Sequence, residues 1–157
     1  MTLPDNYLLR ALRMQPHQLL HEVGLLAPDV VLWKPAPTEW SAQECLTHLR
    51  DTERNVFLVR IERMVNEDNP ALVLFDEAAH HAEHWTPDEP IQSILADFVA
   101  DRGAEVALLE KADWSRPGIH PVRGPITLGW LAHYTLGHTW EHLSQMMRAR
   151  LAYDTRK

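Results

Sequence analysis

The chain has 157 residues, 45% of them hydrophobic and 24% charged, with one cysteine, ten histidines and a formal net charge of −7. That length suits a single domain able to bury a proper core, and the apolar fraction excludes a disordered chain. The negative balance argues against a protein built to bind nucleic acid, and one cysteine cannot form an internal disulfide.

From Met1 to Asn6 there is no basic region followed by an apolar core, so no signal peptide is expected. The longest uncharged stretch, Gly124 to Trp140, contains His133 and His138 and falls short of a membrane span. The expectation is a cytoplasmic protein acting on a small molecule, with neither a membrane nor a nucleic-acid partner.

Four long helical patterns follow one another, with no strand pattern of comparable quality. The first starts near Pro4, a good first-turn residue, and carries Leu8, Leu9 and Leu12. Pro16 is expected to break or restart it, leaving a second piece to about Leu26 that Gly24 weakens. Pro28, Pro35 and Pro37 mark an irregular connection. Ser41 and Glu44 form a capping box that opens the second helix, whose apolar residues include Cys45, Leu46, Leu49, Val56, Phe57, Val59, Met64 and Val65. Asn69-Pro70 closes it, and the histidine-rich connection from Asp76 to Pro87 has room for one helical turn or two.

The third helix begins near Pro90, carries Ile91, Ile94, Leu95, Phe98, Val106, Leu108 and Leu109, and ends by Trp114. Its Glu105, Glu110 and Asp113 read as a solvated face. A loop rich in proline and glycine follows, and Thr127 caps a fourth helix reaching about Ala152. One all-α domain over residues 1–157, a four-helix bundle with long irregular connections, is the economical architecture.

Two histidines four apart on a helix point the same way and can share one metal ion. At this composition chance alone gives about 0.6 such pairs, and three occur: His17/His21, His80/His84 and His138/His142. His17/His21 follows Pro16 on a weak helical piece, and His80, His81 and His84 read as a mobile surface cluster. His138/His142 differs, because Leu128, Leu131, Thr135, His138, His142, Met146 and Ala149 follow one face of the fourth helix. Burying two imidazoles mid-stripe is costly unless something binds them; a metal ion, or carbonyls and carboxylates, would serve. His48 on the second helix is the best third candidate. Three neutral imidazoles leave a position open for water or substrate and suit zinc, nickel or iron(II) alike. Cys45, on the apolar face of the second helix, reads as a buried structural thiol, and Trp40 as a packing residue beside the capping box.

The segment Glu39-Trp40-Ser41-Ala42-Gln43-Glu44-Cys45-Leu46-Thr47-His48-Leu49-Arg50-Asp51-Thr52-Glu53 resembles the first motif of DinB-like proteins, a superfamily that includes the bacillithiol and mycothiol S-transferases. The run from Thr127 through His138-Thr139-Trp140-Glu141-His142-Leu143-Ser144-Gln145 resembles the second motif, and Arg102-Gly103 fits the pattern between them. The resemblance implies a four-helix bundle, often a homodimer, with His48, His138 and His142 as ligands of a divalent metal. It further implies activation of a low-molecular-weight thiol for transfer to a small electrophile, with Asp51 and Glu141 placed to orient the imidazoles. Metal-dependent hydrolysis by the same ligands, and a metal-binding stress-response role without turnover, are the alternatives. Many members read His-His-Arg-Gly-Gln where this chain has Glu141-His142-Leu143-Ser144-Gln145, so substrate contacts made by that first histidine and the arginine have no counterpart here.

Overall fold

The computed structural model describes residues 5–156, so the expected start at Pro4 lies outside the described residues. Helix α1 spans Asp5–Leu25, and Pro16 lies inside it without ending it. A proline there forfeits one backbone hydrogen bond, but Leu8, Leu12, Leu19 and Val23 are all buried along one face and keep the rod continuous. The expected break at Pro16 is therefore corrected to an unbroken helix.

Helix α2 spans Ala42–Thr52. Its capping box is formed as expected: Glu44 N donates to Ser41 Oγ at 3.2 Å, and Ser41 N donates to Glu44 Oε2 at 2.9 Å. A π-helical turn at Glu53–Phe57 joins α2 directly to α3, Leu58–Asn66, making one rod. Asn69 takes a positive φ of 46° before Pro70, a conformation asparagine tolerates well. Helix α4, Glu77–His84, occupies the histidine-rich connection, with the Asp76 side chain accepting from Ala79 N. Helix α5 spans Ile91–Leu109.

The loop between the third and fourth long helices holds a small antiparallel hairpin, β1 Pro117–His120 and β2 Gly124–Thr127, pairing Gly118 with Ile126. Gly124 turns it with φ of +76°. Strands of four residues rich in proline and glycine carry no readable alternation, which is why the sequence shows only a loop. Leu72 N donates to Ile119 O, and Ile119 N donates to Pro70 O, tying the segment after α3 to the hairpin. Helix α6, Leu128–Thr155, starts at Thr127, whose hydroxyl accepts from Trp130 N.

The rods α1, α2–α3, α5 and α6 form a four-helix bundle, with α1 and α2 each packed on α5 and α6. Its core divides in two. At one end Leu8, Leu12, Phe57, Ile61, Met64, Leu109, Leu128 and Leu131 pack together; at the other, Leu19, Leu46, Leu49, Ile94, Phe98 and Met146 do so. Between them lies a buried polar layer. Arg102, 1% exposed, donates to both oxygens of Glu53, to Gln15 Oε1 and to Thr139 Oγ1, and so links all four rods. Glu105 lies 3.3 Å from Arg102 Nε with no exposed surface, correcting its expected place on a solvated face. Burial and the neighbouring Glu53 hold the Glu105 carboxyl well above the usual range, so it stays protonated while Glu53 and Arg102 pair. Among the described residues no helix is long and apolar enough to cross a membrane.

Candidate metal centre

His48 on α2 and His138 and His142 on α6 meet beside the polar layer, with one ring nitrogen from each lying within 4.8 Å of the others. The spacing of four on α6 puts His138 and His142 on one face, their centroids 4.7 Å apart. The strongly capped α2 delivers His48 opposite them, its Nε2 at 3.1 Å from His138 Nε2. Gln145 Oε1 stands 3.0 Å from His142 Nδ1, so that nitrogen carries the proton and Nε2 keeps a lone pair.

All three imidazoles are held neutral. Burial, then the neighbouring His142 and His81, pushes His48 down to about 3. Burial, His142, His48 and Arg102 push His138 down to about 3 as well. Burial lowers His142, opposed by Gln145 and by the charge of Glu141. Neutral rings with converging lone pairs are the donor set that a divalent cation needs, and they fit one here.

Helix α4 roofs this cluster. Glu77, in its first turn, brings Oε2 to 3.7 Å from His48 Nε2. Burial raises the Glu77 carboxyl, and Arg60 partly offsets the rise. His81 stacks between Trp40 and Trp85, at 5.2 and 5.8 Å, and its Nε2 lies 3.8 Å from Glu44. His80 stacks on His84 at 4.2 Å and reaches Asp51 Oδ2 at 3.4 Å. The cluster of His80, His81 and His84, expected as a mobile surface loop, is thus a docked helix over the site. Trp40 lines the site wall, 4.9 Å from His48 and 5.9 Å from His142.

The structure brings His48, His138 and His142 together and leaves the other expected site residues at its margin. Asp51 turns toward Arg50 Nε at 2.8 Å and toward His80. Glu141 is exposed and reaches His142 only through its field. The hydrogen-bond partner of His142 is Gln145. Glu77 escaped the sequence reading; the available signal was its place three residues before His80, which puts both on one face of α4. Histidines 17 and 21 are exposed on α1, away from the cluster. Cys45 is fully buried, and its thiol is pushed up to about 12 by burial.

Comparison with known proteins agrees with this architecture. YfiT from Bacillus subtilis, described as a probable metal-dependent hydrolase with an unusual four-helix bundle topology, superposes with a TM-score of 0.82 at 20% identity, covering 94% of this chain and 88% of that one. No curated protein matches the chain. The DinB superfamily model matches residues 11–146, nearly the whole of the bundle. The chain belongs to the DinB superfamily.

Proposed function

We propose that the protein is a metal-dependent hydrolase of a small molecule, with His48, His138 and His142 holding a divalent cation. The observation that carries this reading is the carboxylate of Glu77, 3.7 Å from His48 Nε2 at the edge of the three-histidine cluster. When bound, zinc, nickel or iron(II) at three imidazoles supplies Lewis acidity and a position open to water or substrate. Glu77 accepts the proton of the attacking water and returns it to the leaving group. Gln145 fixes the His142 tautomer, and Trp40 with α4 screens the site from bulk solvent. The description of YfiT as a probable metal-dependent hydrolase supports the same reaction class.

Transfer of a low-molecular-weight thiol is the second reading. Cys45, the only cysteine, is buried and protonated, so any thiolate at this site must arrive with a cofactor. One experiment separates the two. Protein loaded with zinc, nickel or iron(II) is assayed against ester, amide and lactone panels, and separately with bacillithiol, mycothiol or glutathione plus a model electrophile. Turnover without thiol, lost in His142→Ala, supports hydrolysis; turnover only with thiol supports transfer. No turnover above His142→Ala in either arm overturns both and leaves a metal-binding protein.

A further inference from the structure

Arg60 on α3 is only 7% exposed, yet makes no ion pair among the described residues. Its Nη2 donates to Val73 O at 3.1 Å, while its buried Nε has no partner. Its Nη1 stands 3.2 Å from Nε2 of His120, at the end of β1. The protonation of that ring is dictated locally, because His120 Nδ1 accepts from the backbone N–H groups of Val122 and Arg123, each at 3.2 Å. A neutral imidazole with Nδ1 accepting carries its proton on Nε2. Two N–H donors, Arg60 Nη1 and His120 Nε2, therefore face each other with no acceptor between them.

A buried donor without an acceptor is costly, more so when charged, and Arg60 Nε is one. The surroundings add positive charge: the Arg123 guanidinium lies 5.4 Å from the Trp130 ring and 5.3 Å from that of Tyr134. An acceptor with negative charge would satisfy Arg60 Nη1 and His120 Nε2 together, while Arg60 Nε lies on the opposite edge of the guanidinium. We infer that Arg60 and His120 form an oxyanion site that takes the carboxylate or phosphate end of the substrate.

The site connects to the metal centre. The Phe57 ring packs on His138 at 5.3 Å and on Tyr134 at 6.0 Å, and Trp130 continues from Tyr134 at 5.2 Å to His120 at 6.2 Å. Glu77, beside His48, feels the charge of Arg60. Phe57 is core, so of this series only the partly exposed Tyr134 and Trp130 are placed to meet the apolar or aromatic body of an anionic substrate. Calling the anion a substrate rests on the hydrolase reading; the anion site stands on its own donors.

The test is a titration of the full-length protein, as purified and after chelation, with acetate, inorganic phosphate and chloride, following imidazole nitrogens by NMR. Chelation removes the cation as a competing anion site, so the result is independent of turnover. The expected result is a saturable shift of His120 Nε2 with acetate or phosphate but not chloride, abolished in Arg60→Gln. Saturation by acetate alone assigns a carboxylate, and by phosphate alone a phosphate. Should Arg60→Gln fail to fold, His120→Gln is followed through the Arg60 Nε resonance and is expected to weaken binding at least about 10-fold. A shift no greater than that with chloride, or one that survives Arg60→Gln, overturns the assignment and leaves water as the acceptor.

Discussion

Gln145 Oε1 accepts from His142 Nδ1 at 3.0 Å, one turn along the same face of α6. The contact decides which nitrogen of His142 points at His48 and His138. Gln145→Ala frees the ring to rotate and to change tautomer, and is expected to weaken metal binding about 10–100-fold. Competition against a chelating dye measures this, with the thermal midpoint of the metal-free protein as a control. Wild-type affinity in the variant would remove Gln145 from the site.

Glu77 is the side chain on which hydrolysis depends. Glu77→Gln preserves size and removes the proton acceptor, so kcat is expected to fall about 10²–10⁴-fold. Metal content, read by elemental analysis, should stay at the wild-type level, because the three imidazoles are untouched. Unchanged kcat would show that the carboxylate only helps to roof the site.

His138 provides a direct check on the ligands themselves. Elemental analysis of wild type beside His138→Ala should show stoichiometric metal in the first and a loss in the second. Equal metal in both would move the binding site elsewhere.

The polar layer predicts a pH dependence of stability. Glu105 keeps its proton in the folded state above the pH at which the unfolded chain loses it. The folded state then binds more protons than the unfolded one, and stability falls as pH rises through that window. The slope from this one group is about 1.4 kcal/mol per pH unit. Glu105→Gln cannot ionise, so its urea-unfolding stability should fall less than that of wild type as pH rises above the ordinary carboxylate range, with the difference largest at the alkaline end. Parallel profiles would mean that Glu105 is ionised in the fold.

Much of the fold and of the candidate site is legible in the sequence. The capping box at Ser41 and Glu44, the cap at Thr127 and the stripe through His138 and His142 are short-range signals, and each reappears in the structure. What escaped depends on distant partners. Nothing near Pro16 announces that Leu12 and Leu19 will find a core firm enough to carry the helix through it. Glu105 looks solvated in sequence because Arg102 and Glu53, its reason for burial, are brought to it by packing. His120 sits in a stretch of prolines and glycines, and its pairing with Arg60 spans sixty residues of chain.

The π-helical turn at Glu53–Phe57 acts as a phase shifter in the rod that carries both His48 and Arg60. A wide turn lets one additional residue pass without lengthening the path of the helix, and each residue of an ordinary helix rotates the face by about 100°. Deleting one residue there would restore a regular helix and swing everything after it, Phe57 and Arg60 included, around the axis. Phe57 would leave His138 and Arg60 would leave His120, while His48 stayed in place. The geometry joining the cation end of the site to the anion end is therefore written as a single inserted residue, and a tally of residue types would never register it.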